Sequence, residues 1–209
     1  MSSFTETLRR YKRDGCSILV TGAAGASATA RATRKLLGSP AERRVRLLAL
    51  TDPAFDDPST LLPGGVDTDD EALRVLDYRD TARTAVLADR PGDGCADTDI
   101  ERLPDVAADT AERATTADEG AFRAGLVSLD PLIDARGVDE TANLAATVGT
   151  TVSDAQGMFH AHLRVPDDDA LVAEFAPLFD ARIELRRRRG HVPEQRWHLP
   201  EETSPWLEL

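Results

Sequence analysis

Lysine is nearly absent from this sequence. Lys12 and Lys35 are the only two, so arginine carries almost all of the positive charge. Acidic residues outnumber lysine and arginine by 37 to 25, which gives a formal net charge of -12. This charge disfavours general binding to nucleic acid or to anionic membranes. Abundant aspartate and glutamate with little lysine is typical of proteins from salt-loving archaea, so we attribute the acidity to solubility at high salt rather than to an acidic binding surface.

Cysteine and long apolar runs are also scarce. Cys16 and Cys95 are far apart and form no C-x-x-C pair, which argues against a zinc site or a disulfide framework. Every apolar run is shorter than the roughly 20 residues that cross a bilayer. Residues 1–15 are polar and amphipathic, unlike a signal peptide. We therefore expect two unpaired thiols, no membrane association and a cytoplasmic protein.

The most informative segment present lies near the amino terminus and has the frame of a phosphate-binding loop. An apolar run predicts a buried strand over residues 17–21. Gly22–Ser27 then predicts a tight turn, and Ala28–Leu37 predicts the following helix.

The lysine that binds phosphate in such loops is missing here. In the pattern G-x-x-x-x-G-K-[ST], the four fixed positions are taken in order by Gly22, Ser27, Ala28 and Thr29, so alanine replaces lysine. Backbone N–H groups at a helix start still attract anions, but the charge that neutralises β- and γ-phosphate oxygens in an NTPase is lost. The segment predicts a non-catalytic NTPase-like scaffold with Gly22, Gly25, Ser27 and Thr29 as a vestigial phosphate loop. Weak ATP or NAD binding stays open.

Strands and helices alternate along the rest of the chain. Apolar runs predict strands over residues 45–50, 73–78, 124–129 and 158–165, and helical patterns cover 4–13, 81–88, 105–116, 138–156 and 169–179. Strands over 181–188 and 195–199 predict a hairpin, and the segments 56–71 and 89–104 predict exposed acidic loops. We expect a single α/β domain over residues 1–209, with a mainly parallel sheet, helices on both faces and an antiparallel hairpin at its C-terminal end.

Six short segments stand out beside this order of elements: LRRYKRDG (8–15), LDYR (76–79), SLDPL (128–132), FHAHL (159–163), APLFDA (176–181) and EQRWHL (194–199). With them, the chain resembles the RecA/KaiC-like ATPase core and, more closely, the uncharacterised HTR-like (DUF7504-type) proteins of halophilic archaea. The resemblance implies a three-layer P-loop-type fold and a role in regulation, signalling or protein interaction. It also implies a protein partner and leaves a homo-oligomer open.

The resemblance further implies that catalysis has been lost. KaiC-type enzymes carry a magnesium-ordering aspartate just before the Ser-Leu pair, where this chain has Val127, and Asp130 comes three residues later. Since the lysine and the magnesium carboxylate are both absent, we expect no ATPase activity and no catalytic residues.

A dinucleotide-binding protein is the alternative interpretation. Residues 20–25 also resemble the T-G-x-x-G-x-x-G opening of short-chain dehydrogenases, with Ala28 at the last glycine. Asp52, at the end of the second strand, could then bind an adenine ribose, and Asp77 would contact the adenine. The Tyr-x-x-x-Lys pair of those enzymes is absent. The alternative is therefore an NAD(P)- or nucleotide-binding Rossmann-like protein without that catalytic pair.

Three polar clusters have simpler structural interpretations. His160 and His162 share one face of a strand and could bind a metal, but we expect hydrogen-bonded sheet histidines. Asp167–Asp169 precedes a helix, which favours capping over metal binding. Arg186–Arg189 predicts a solvated hairpin edge paired with nearby acids rather than a nucleic-acid surface.

Overall fold

The computed structural model describes residues 4–79, 99–114 and 121–209. The helices are α1 (Phe4–Asp14), α2 (Ala26–Leu36), α3 (Leu103–Ala114), α4 (Asp130–Arg136), α5 (Val138–Asp154) and α6 (Ala170–Phe175). The strands are β1 (Cys16–Thr21), β2 (Val45–Leu50), β3 (Leu73–Asp77), β4 (Phe122–Val127), β5 (Met158–Leu163), β6 (Ala181–Arg186), β7 (Glu194–His198) and β8 (Leu207–Glu208). The predicted helix 81–88, most of the predicted loop 89–104 and Cys95 lie outside the described residues.

All of these strands belong to one eight-stranded sheet with the order β3-β2-β4-β5-β1-β6-β7-β8. The strands from β3 to β6 are parallel, and β7 and β8 add antiparallel partners at one edge. Every residue of β1 is buried, which fits its central position between β5 and β6. The predictions of a mainly parallel α/β sheet, a central first strand and a C-terminal hairpin are confirmed.

Helices cover both faces of the sheet because side chains of a buried strand alternate between two apolar layers. In β1, Leu19 belongs to the layer that includes α3 and α5, whereas Ile18 and Val20 belong to the layer that includes α1 and α2. A third cluster joins α2 to β2 and to the segment before β3. Among the described residues, no helix has the length and apolar character needed to cross a bilayer.

Several element boundaries differ from the sequence-based expectation. β4 ends at Val127 rather than 129, because the chain turns there into α4, which the sequence did not predict and which has a proline in its first turn. α2 begins at Ala26, two residues earlier than expected. The short strand β8 was also missed, since two residues carry no periodicity.

The two predicted acidic loops are partly wrong. In residues 56–71 the acidic side chains are exposed, but Leu61 and Val66 are buried and anchor the segment in the core. Residues 99–104 are not an exposed loop: a 3-10 turn (Ile100–Arg102) leads directly into α3, and Ile100 and Leu103 are buried. Single apolar residues inside an acidic segment therefore mark where it returns to the core.

We expect the fold to lose stability as salt is removed, because the net charge of -12 is then less screened. The Debye length grows from about 3 Å at 1 M to about 10 Å at 0.1 M salt. Circular dichroism melting in decreasing KCl should show the midpoint falling by roughly 10 °C, which corresponds to about 3–5 kcal/mol for a chain of this size. A midpoint that stays constant over this range would contradict the salt-adaptation interpretation.

Candidate functional site

The glycine loop, residues 22–25, connects β1 to α2 at the carboxyl edge of the parallel strands. The backbone N–H of Gly22 donates to the carbonyl oxygen of Val165 at 2.9 Å. Gly22 has φ +107°, and a Cβ there would lie 2.0 Å from the carbonyl oxygen of Leu185. Only glycine fits at this position, so the loop is held between the end of β5 and β6.

The outer side of the glycine loop faces solvent. Gly25 has φ +83°, is the N-cap residue of α2, and has open space where a Cβ would be. Ser27 is exposed, and its hydroxyl accepts a hydrogen bond from Arg187 Nη1 at 3.0 Å. The hydroxyl of buried Thr29 contacts the carbonyl oxygen of Gly25 at 3.4 Å. The fold therefore brings Gly22, Gly25, Ser27 and Thr29 together around one turn.

Ala28, aligned with the phosphate-loop lysine, lies in the core. It has no exposed surface and belongs to the apolar layer that contains Ile18 and Val20. Because α2 begins at Ala26, residue 28 is already in the first helical turn, on the side of the helix that packs against the sheet. A lysine at this position would need to bury its charge or leave the core.

Asp52 is separated from the glycine loop by two strands. It follows β2, is 8% exposed, and forms an ion pair with Arg164. Its other carboxylate oxygen accepts from the N–H of Ala54 at 2.8 Å. β4 and β5 lie between β2 and β1, which places Asp52 about 14 Å across the sheet from the loop. In the Rossmann fold these two strands are neighbours.

The carboxylate that follows β4 also has partners. Val127 is buried at the end of the strand. The Asp130 carboxylate accepts hydrogen bonds from the Ser128 hydroxyl and, at 3.0 Å, from the backbone N–H of Arg164. Asp130 therefore fixes the turn into α4 against the segment after β5.

The sequence did not predict a cluster of Asp167, Glu184 and His198. Glu184 and His198 come from β6 and β7, on the side of β1 away from Asp52 and Asp130. One ligand atom from each lies within 4.8 Å of the other two. His198 Nε2 lies 2.9 Å from a Glu184 carboxylate oxygen. Charged residues alternating along β6 and β7 were the only signal in the sequence, because the pairing of these strands places them on one face.

Arginines already neutralise both carboxylates in this cluster. Arg182 forms an ion pair with Asp167, and Arg196 donates two hydrogen bonds to Glu184 at 3.0 and 2.6 Å. Burial raises the pKa of Asp167, but hydrogen bonds from Arg182 and Thr21 outweigh it and hold the pKa below its usual value. The cluster is an ion-pair network in which each carboxylate already has an arginine partner.

His162 is hydrogen bonded inside the core, as expected from the sequence. The Thr33 hydroxyl donates to the carbonyl oxygen of Thr29 at 3.0 Å, so its lone pair accepts from His162 Nε2–H, also at 3.0 Å. Burial and the neighbouring His160 lower the pKa of His162 well below its ordinary value. The ring is therefore neutral.

His160 differs from the expectation. Its ring packs at 82° to that of His162, with 5.5 Å between the centroids. Within the described part of the chain, neither nitrogen of the His160 ring has a hydrogen-bond partner. The ring fills the space over Gly125, where a Cβ would lie 2.6 Å away. Burial lowers the pKa of His160 to about 3, so this histidine is a neutral core residue.

The remaining two polar clusters have the expected structural roles in part. Asp169 caps α6 by accepting from the N–H of Leu171 at 2.9 Å. Arg186 and Arg188 both form ion pairs with Glu194 across the hairpin. These contacts account for Asp169 and for two of the four consecutive arginines, whereas Asp167 pairs with Arg182 instead of capping the helix.

Comparison with known proteins identifies a family without a known function. No curated protein sequence matches the chain. A crystal structure of an uncharacterised protein from Pyrococcus horikoshii, in complex with an unknown peptide, has a similar fold, with a TM-score of 0.58 and 15% identity over 92% of this chain and 87% of that one. Residues 15–185 match the sequence profile of a family of unknown function, DUF7504. The chain therefore belongs to the DUF7504 family.

Proposed function

We propose that this chain is a non-catalytic RecA/KaiC-like domain that acts by binding another protein in a regulatory or signalling role. The main support is the state of the carboxylates that follow the strands. Asp52 is paired with Arg164 and Asp167 with Arg182, while Asp130 accepts hydrogen bonds from Ser128 and Arg164. Phosphoryl transfer needs carboxylates that can hold a metal ion and orient water, and these three already have other partners.

The position of Ala28 gives further support. The lysine of a phosphate loop stabilises charge that develops on the transferred phosphate, and removing such a contact typically costs several kcal/mol of transition-state stabilisation. Ala28 contributes an apolar surface to the core instead. A fold in which packing and ion pairs replace the catalytic contacts still has surfaces that can bind another protein. The peptide bound by the P. horikoshii protein is consistent with this role.

We expect no phosphate release from ATP or GTP in molar KCl with magnesium. The unaltered chain and Thr29→Ala should both give the buffer rate, because neither has the lysine charge. An active ATPase in the same buffer serves as the positive control. Turnover by the unaltered chain that Thr29→Ala abolishes would contradict the proposal.

We further expect that Ala28→Lys does not create turnover. The substitution introduces a lysine at a fully buried position, so it should instead lower the melting midpoint. Thr29→Lys is less suitable as a control, because Thr29 is itself buried. Ser27→Lys is the matched control, since Ser27 is exposed in the same helical turn. Phosphate release by Ala28→Lys would show that the loop still has a catalytic geometry.

Nucleotide binding without turnover is the second candidate. The open outer side of the glycine loop and the Arg187 contact to Ser27 favour it, because a helix start beside an arginine attracts anions. The position of Asp52 two strands away favours a mononucleotide over a dinucleotide. Stabilisation by ATP that Arg187→Met removes would support this candidate, and equal stabilisation by NAD(P) would favour the Rossmann-like alternative.

A further inference from the structure

A cavity lies on the α1 and α2 side of the sheet, away from the glycine loop. It encloses about 480 Å³, within the usual range of 300–1,000 Å³ for small-molecule sites. Its walls are mostly apolar and come from both helices, the central strands and the hairpin, including Phe4, Leu8, Ile18, Leu36, Ile183 and Trp197.

A buried arginine lines this cavity. Arg123, near the start of β4, lines the cavity and is only 3% exposed. Its one described side-chain hydrogen bond is a long contact of 3.5 Å to the carbonyl oxygen of Phe122. No carboxylate among residues 4–79, 99–114 and 121–209 lies within ion-pair distance of it. Burying a guanidinium without an anion is costly, so this position is poised to accept one.

The electrostatic surroundings of Arg123 strengthen this conclusion. Burial, followed by repulsion from Arg44, lowers the pKa of Arg123 to about 10. The nearby carboxylate of Glu42 is already paired with Arg44. A bound anion would offset the cost of desolvation and the repulsion by its direct attraction to the Arg123 guanidinium.

The rim of the cavity has a charge opposite to that of the whole protein. Lys12 and Lys35, the chain's only lysines, both line it. Among the described residues, Glu42 is the one acidic side chain that lines it, whereas the chain as a whole carries a charge of -12. In a protein with so little lysine, this local positive charge favours an anionic ligand.

We propose that this cavity binds a small amphiphilic carboxylate, with the carboxylate group on Arg123 and an apolar chain along the walls between α1, α2 and the hairpin. Arginine pairs with a carboxylate through two parallel N–H···O bonds. The apolar walls suit a hydrocarbon chain better than the amide groups of a peptide, because each buried amide needs a hydrogen-bond partner. The site uses neither the glycine loop nor the paired carboxylates from which the proposed function is argued. A failure of one proposal would therefore not contradict the other.

Calorimetric titration with octanoate and with 1-octanol tests the proposal on the unaltered chain. The two ligands share an apolar chain and differ in the charged group. In molar KCl we expect octanoate to bind at least tenfold more tightly, because a buried ion pair is only weakly screened by salt. Equal affinity for the two ligands, or no binding of octanoate, would overturn the proposal.

Arg123→Met locates the site. It keeps much of the side-chain length without the charge, so octanoate affinity should fall at least tenfold while 1-octanol affinity stays within twofold. Arg189→Met, at an exposed position on the hairpin turn, is the matched control and should change neither. Octanoate binding that survives Arg123→Met in a chain shown to be folded by circular dichroism would refute this site. If Arg123→Met does not fold, the octanoate and octanol comparison decides.

A peptide is the remaining anionic occupant to test. The probe is an apolar tetrapeptide with a free terminal carboxylate, titrated beside octanoate. We expect it to bind more weakly than octanoate, because placing its amides against the apolar walls removes them from water. Tenfold tighter binding of the tetrapeptide that Arg123→Met removes would overturn the small-molecule assignment.

Discussion

Gly22→Ala is expected to lower the free energy of unfolding by about 4 kcal/mol or more, a loss that few single substitutions reach. The new Cβ would lie 2.0 Å from the carbonyl oxygen of Leu185, which is backbone and cannot move without separating β1 from β6. The positive φ of +107° adds the cost of a conformation that alanine avoids.

Gly25→Ala is the matched control for this substitution. Gly25 also has a positive φ, of +83°, but a Cβ there would contact nothing within 4 Å. It should therefore cost only the backbone strain of its φ and ψ, about 1–3 kcal/mol. Chemical denaturation in molar KCl measures both values. Similar losses for the two variants would mean that Gly22 is not held against β6 as described.

Acid is expected to destabilise the protein from pH 7 to pH 5, before most carboxylates titrate. The pKa of His160 falls from 6.5 to about 3 on folding, with burial as the main cause, and that of His162 falls in the same direction. The unfolded chain then binds more protons, so the stability present above pH 6.5 is lost as the pH decreases. Each buried neutral histidine should contribute a loss of about 2 kcal/mol between pH 7 and pH 5.

Substitution of single histidines separates these contributions. His160→Leu removes one buried titrating group, so the pH dependence of the unfolding free energy between pH 7 and pH 5 should become about half as steep. His191→Gln, at an exposed position on the hairpin turn, is the control. The comparison uses the slope of the unfolding free energy against pH. The stability at a single pH would also include the change in packing that leucine causes. An unchanged slope in His160→Leu would contradict a neutral buried His160.

The sequence predicted the elements whose pattern is local. The apolar run over residues 45–50 matches β2 residue for residue, and the hairpin was found from its two strands and turn. β4 was placed two residues late because Leu129 extends its apolar run past the true end at Val127. The Asp-Pro start of α4 was not recognised, since a helix of seven residues shows little periodicity.

The candidate site depended on contacts that no local pattern contains. The glycine loop was predicted because its residues are consecutive. Arg164 and Asp52 are 112 residues apart, and Arg187 and Ser27 are 160 apart. The order of the strands decides which carboxylates are paired. The start of α2 decides that Ala28 faces the core. Neither feature can be read from hydrophobic periodicity.

The strand order also has a consequence for how the chain is synthesised. β1 is made first, but both of its partners, β5 and β6, belong to the last third of the chain. β2, β3 and β4 can pair with one another much earlier. A nascent chain therefore carries an apolar strand with two unpaired edges until translation passes Arg186, and such edges promote aggregation. Co-translational protection of Cys16–Thr21 is thus a requirement that the sheet topology places on the cell.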